Sequence, residues 1–129
     1  MTIGEFDLIK KYFTDIGPRQ NVALGVGDDC ALLDIPADQQ LATSVDTLVA
    51  DVHFPAAGDP QLIGQKSLRC NLSDLAACGA KPLAFTLALT LPDADENWLA
   101  GFARGLRACA DEFAIALIGG DTTRGPQRI

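Results

Sequence analysis

A chain of 129 residues has the length of one ordinary domain, enough to enclose a hydrophobic core and short for two. Its 48% hydrophobic content is that of a folded globular protein and excludes a disordered or fibrous one. Seventeen acidic against ten basic side chains give a formal charge of -7, and no Lys/Arg cluster offers the positive face that nucleic acid requires. A nucleotide could face these carboxylates only with metal ions between them, because bare carboxylates repel phosphate.

The opening MTIGEFDLIKKYF mixes charge with apolar residues, unlike a secretory leader, and nowhere do about eighteen apolar residues run together. The expectation is a cytoplasmic protein with no membrane partner. Apolar Phe6, Ile9 and Phe13 predict a short amphipathic helix over Glu5 to Phe13, ended by Gly17-Pro18 and packed as a cap. Two β-like runs follow, Cys30 to Ile35 and Leu41 to Val49, read as a hairpin or neighbouring pair.

From Pro60 the period changes to a helical one. Gly64, Leu68, Leu72, Leu75 and Gly79 share a stripe, with Ser67, Asn71 and Asp74 on the next. The apolar run from Pro82 to Leu91 predicts a strand, and Asp95 to Phe113 a second long helix with Trp98, Phe102, Leu106, Cys109 and Phe113 on one side. Ile115 to Ile118 reads as a short buried strand running into Gly119-Gly120-Asp121. The whole predicts a single α/β (α+β) unit over residues 1–129, about four strands in one sheet with helices on one face. Cys30, Cys70, Cys78 and Cys109 form no CxxC pair and sit in apolar segments, so they are read as small buried hydrophobes without chemistry.

Four acidic residues stand out: Asp29 in GVGDDCALL, Asp46 in TSVDTLV, Asp74 in NLSDLAA and Asp121 in IGGDTTRG. Each lies at or inside an apolar element, where an ionised carboxylate needs a cation, a helix N-terminus or backbone donors. Capping or turn formation accounts for an Asp after Gly-Gly, but not for Asp46 in a β run or Asp74 in mid helix beside Asn71. With few basic residues, magnesium is the economical partner, since it takes oxygen ligands and bridges carboxylates to phosphates. The single histidine, His53, cannot build a His-rich metal site, and it is open to a phosphate-orienting, proton-shuttling or structural role. Lys66 and Arg69 could reach phosphate or be solvated helix residues. Gly25 and Gly27, like Gly119 and Gly120, would let backbone amides approach an anion, but neither segment is a Walker loop or a dinucleotide fingerprint.

GVGDDCALL, TSVDTLVADVHF, KSLRCNLSDLAACGAKP, LALTLPDAD and LIGGDTTRGP, in this order and spacing, resemble the amino-terminal domain of the thiamine-monophosphate kinase family. That family lies within the aminoimidazole ribonucleotide synthetase-like (PurM-like) superfamily. The resemblance implies a sheet that pairs with a second copy into a barrel across a homodimer, with ATP and several Mg2+ ions at this interface. It implies metal ligands at Asp29, Ser44, Val45, Asp46, Asp74 and Asp121, nucleotide binding at Gly120 and Asp121, and thiamine monophosphate at His53. Val45 stands where the family pattern has threonine, so a ligand there is the main-chain carbonyl. The resemblance further implies a carboxy-terminal domain absent from this chain, and an isolated fragment without activity.

The activity so implied is direct in-line transfer of the ATP γ-phosphoryl group to thiamine monophosphate, giving thiamine diphosphate and ADP. No covalent nucleophile is called for, since such transfer asks chiefly for positioning and charge neutralisation. Two other readings stay open here: another ATP-dependent enzyme of the same superfamily, and a non-catalytic dimerisation or metal-nucleotide half-site module. Selenophosphate synthetase would want a reactive Cys near a Gly-rich start, which this chain lacks.

Overall fold

The computed structural model describes residues 3–129. In chain order it contains α1 (Glu5–Tyr12), β1 (Val22–Leu24), β2 (Leu32–Leu33), α2 (Pro60–Ala77), β3 (Ala84–Leu91), α3 (Glu96–Phe113) and β4 (Ala116–Arg124). Acidic Glu5 and Asp7 open α1 and Lys10 and Lys11 close it, which suits the helix dipole at both ends. The buried face of α1 is Leu8 and Tyr12, continued by Phe13, whereas Phe6 is 84% exposed. The stripe predicted through Phe6 is therefore displaced, because Leu8 and Tyr12, four residues apart, occupy the inward face instead.

Both long helices start at side-chain caps. Asp59 accepts from the Gln61 N–H ahead of α2, with Pro60 at the first turn, and Asp95 accepts from Asn97 and Trp98 ahead of α3. The two helices cross so closely that a Cβ on Gly64 would lie 2.4 Å from the Phe102 carbonyl oxygen, and one on Gly105 would lie 2.0 Å from that of Gln61. Small residues thus set the interhelical distance. Leu99, Phe102 and Leu106 from α3 join Leu68 and Leu72 of α2 and Leu89, Leu91, Ile115 and Leu117 of the strands in one core. Each such side chain contributes about 1.5–3 kcal/mol by leaving water.

The expected single four-stranded sheet is replaced by two separate pairs. β1 pairs antiparallel with β2, so the partner of the Leu32–Leu33 strand precedes it rather than follows it. β3 and β4 run parallel, joined through α3, as a βαβ unit requires. β4 is also longer than the short strand predicted, because pairing with β3 continues through Gly119-Gly120-Asp121 to Arg124. Its register slips once, between Phe85 and Thr86: Leu117 faces Phe85, Gly119 faces Thr86, and Ile118 is the extra residue.

Leu41 to Thr47, predicted as a strand, is exposed and belongs to no ladder. Hydrogen bonding begins only at Leu48, which exchanges two bonds with Ile129 at 2.8 and 2.9 Å. Arg128 in turn exchanges bonds with Thr90 of β3. The chain's last residues thereby join the 48–50 segment to β3. Of the cysteines, Cys109 is buried and Cys70 half-buried, while Cys30 and Cys78 are exposed, so only half of that expectation holds. No helix among the described residues is long and apolar enough to cross a membrane.

Candidate functional site

Two carboxylates predicted from sequence meet in the structure. Asp46 comes from the irregular segment before Leu48, and Asp74 from the last turn of α2, not from its middle. Loss of solvation first, then a hydrogen bond with Asp74 and repulsion from it, hold the Asp46 carboxyl above its ordinary range, opposed by the nearby His53. Asp74 stands at the negative end of the α2 dipole, in a turn that carries no basic residue. Two facing carboxylates at such a helix end repel one another and together attract a cation.

The donor set at this point is all oxygen, which fits magnesium held by one or two carboxylates, the other positions being left to water and phosphate. Asp29 and Asp121 are exposed on other elements, Asp29 in the turn after β1 and Asp121 on β4 beside Ala88. The Asp29 N–H donates to the Asp28 carboxylate at 2.8 Å. Among the described residues no group of three or more His, Cys, Asp or Glu side chains converges on one point. The expectation that these acids are buried is corrected: all four are exposed, because each lies at a strand edge, turn or helix end rather than within the core.

His53 lies in a loop between the Asp46 segment and α2. Its Nδ1 accepts from the Val49 N–H at 2.9 Å, and its main-chain oxygen accepts from the Lys66 ammonium. Arg69, the other cation considered on α2, is committed elsewhere, to Glu112 at 2.6 Å. Gly120 has a structural reason to be glycine: at φ 143°, a Cβ would lie 1.8 Å from the Leu87 carbonyl oxygen. Gly27, at φ 114°, has open space around it in the Asp28-Asp29 turn.

A cavity of about 510 Å³ separates the Leu41–Leu48 segment from α2 and β3. Its wall is mostly apolar, with Leu68, Leu72, Phe85 and Leu87, and its polar members include Ser44, Asp46, Asn71 and Arg128. Ser44 and Val45 line it beside Asp46, although Val45 is 87% exposed. Arg128 is the residue that sequence reasoning missed. Its place depends on pairing with Thr90 and Val49, contacts distant along the chain that no local pattern encodes. Asn71, on the predicted polar stripe, donates to the Ser67 carbonyl within α2.

Known proteins resemble this chain in sequence and fold. Residues 27–129 match the family described as AIR synthase related protein, N-terminal domain. The chain is 55% identical over 127 residues to the thiamine-monophosphate kinase of Escherichia coli K12, covering 98% of this chain and 39% of that protein. The crystal structure of thiamine-monophosphate kinase from Stenotrophomonas maltophilia K279a superposes with a TM-score of 0.83 at 50% identity, over 99% of this chain and 40% of that one. Hydrogenase maturation protein HypE in complex with ATP superposes with a TM-score of 0.68 at 25% identity, over 92% of this chain and 32% of that one. The chain thus spans about two fifths of the length of the relatives it matches.

Proposed function

The chain belongs to the family of AIR synthase related proteins through its N-terminal domain, and from that premise we propose that it forms the ATP- and metal-gathering part of a thiamine-monophosphate kinase. The observation that carries this reading is the Asp46–Asp74 pair at the negative end of α2 with His53 beside it. In this reading the γ-phosphoryl group of ATP passes in line to the phosphate of thiamine monophosphate. The products are thiamine diphosphate and ADP.

Magnesium, when bound, screens the two mutually repelling phosphates. Asp46 and Asp74 would hold it, joined by Asp29, Asp121, the Ser44 hydroxyl and the Val45 carbonyl when nucleotide draws these elements together. Gly120 and Asp121 lie beside the nucleotide and His53 beside thiamine monophosphate. The fold likeness to an ATP-bound protein supports the nucleotide part of the reading.

The same reading makes the enzyme a homodimer. Leu41 to Thr47 presents unpaired backbone and an exposed Leu41 and Val45, a β-like run that a second copy would supply with a partner. A second copy adding its own sheet there would close a barrel. The remaining pocket walls would come from a carboxy-terminal domain outside these residues.

The test is calorimetric titration of a non-hydrolysable ATP analogue into this chain and into a full-length kinase carrying it, with and without Mg2+. We expect Mg2+-dependent binding by the full-length protein, abolished by Asp74→Asn, and a loss of kcat/KM of roughly a hundredfold or more in Asp74→Asn or Asp121→Asn. Undiminished turnover in either variant, with the fold intact, would sink the assignment.

A further inference from the structure

The loop that carries His53 is bonded chiefly to itself. The Val49 carbonyl accepts from both the Val52 and His53 N–H groups, at 3.1 and 2.9 Å, and the Asp51 N–H donates to the Phe54 carbonyl at 2.6 Å. Asp51 takes the left-handed conformation at φ 61°, and its carboxylate accepts from the Ala56 N–H at 2.9 Å. The imidazole closes the loop, since its Nδ1 accepts from the Val49 N–H at 2.9 Å. A ring nitrogen that accepts a hydrogen bond carries no proton, so in the neutral ring the proton sits on Nε2. His53 therefore presents an N–H donor outward.

Beyond the Ala50 N–H bond to the Gln127 carbonyl at 3.3 Å and the Val49–Arg128 bridge, two side chains tie this loop to the body. One is Phe54, 4% exposed in the core. The other is Lys66 of α2, whose ammonium donates to the main-chain oxygen of His53 itself. Neither ion pair among the described residues involves Lys66. The helix that presents Asp74 at its end thus also grips, two turns earlier, the residue that presents the imidazole.

We propose that Lys66 is a positioning residue for the phosphoryl transfer. Its ammonium fixes the His53 main chain so that the ring keeps its Nε2–H tautomer, and it locks that donor at a set distance from the Asp46–Asp74 pair that would hold the metal ion. The inference rests on the kinase reading for what the ring touches, and on geometry alone for the tautomer. A lysine that contacted phosphate directly would behave differently, since its loss would weaken nucleotide binding and leave the ring unchanged.

Nitrogen-15 spectra of the imidazole in this chain, recorded about two pH units above the ordinary histidine value, read the tautomer without substrate. Native chain and Lys66→Arg are expected to show one protonated and one unprotonated ring nitrogen. In Lys66→Met the two signals are expected to move toward each other, with the melting temperature nearly unchanged because Lys66 is exposed. In a full-length kinase carrying this chain, Lys66→Met should raise KM for thiamine monophosphate about tenfold, leave KM for ATP and kcat within about twofold, and be rescued by Lys66→Arg. Unshifted ring signals in Lys66→Met, or an equal rise in KM for ATP, would overturn the proposal. Mg2+-dependent nucleotide binding by the native protein tests the kinase reading independently of both results.

Discussion

The body made of α2, α3, β3 and β4 and the arm running from Gly25 to Gly58 are built on opposite terms. In the body, Leu99, Phe102 and Ala110 are fully buried and two glycines let the helices touch backbone to backbone. In the arm, Leu41 to Thr47 is exposed and unpaired, and its order comes from hydrogen bonds at one end and from the self-bonded His53 loop. Most of the candidate ligands sit on the arm, and the body supplies Asp74 and Asp121. The difference shows that apolar burial holds the frame, while the arm puts only Leu48 and Phe54 among the buried core side chains and leaves Leu41 to Thr47 exposed.

This contrast can be broken most forcefully from the body. Phe102→Ala should destabilise the chain by about 3–5 kcal/mol, read as a lowered midpoint in chemical denaturation. A loss below about 1 kcal/mol would mean that α3 is not the frame. A smaller effect is expected at the arm. The Asp46 carboxyl is held above its ordinary range, so the folded chain binds that proton more tightly than the unfolded one, and this contribution to stability is lost as pH rises through the raised value. Without Mg2+, Asp46→Asn should therefore melt slightly higher than the native chain at neutral pH, with the gap closing in acid. Mg2+ should raise the native melting temperature and leave Asp46→Asn unmoved. The smallest effect belongs to the exposed Lys11–Glu96 pair, 2.7 Å apart at the surface. Lys11→Met should shift the melt by about a degree or less, and less still in high salt.

The same division explains what could be read in the sequence. Both long helices were legible because their apolar spacing and their Asp caps are local signals. The β3 run was legible too, since parallel pairing buries one face and keeps Leu89 and Leu91 inside. The arm was not, because a β-like composition from Leu41 to Val49 expresses a preference that only a partner strand can satisfy. Of the candidate site, the sequence picked out two acids that come together. Asp46 and Asp74 do meet, but the pairing that places Arg128 joins residues far apart along the chain, whereas the helix end that carries Asp74 is a local feature, closed by Gly79 at φ 67°.

The extra residue in β4 also acts as a switch of sides. Side chains alternate across a strand, so a slip of one residue reverses which face every later residue occupies. With Ile118 accommodated, Asp121 lies across from exposed Ala88. Were the ladder to run on without the slip, Asp121 would stand across from Leu89, which is 1% exposed. One surplus isoleucine thus decides parity for the rest of the strand, sending a carboxylate to water instead of into oil. Deleting it would remove the bulge yet keep Gly119 against Thr86 and Asp121 against Ala88, whereas pairing it in the ladder would turn the GGDTT motif inside out.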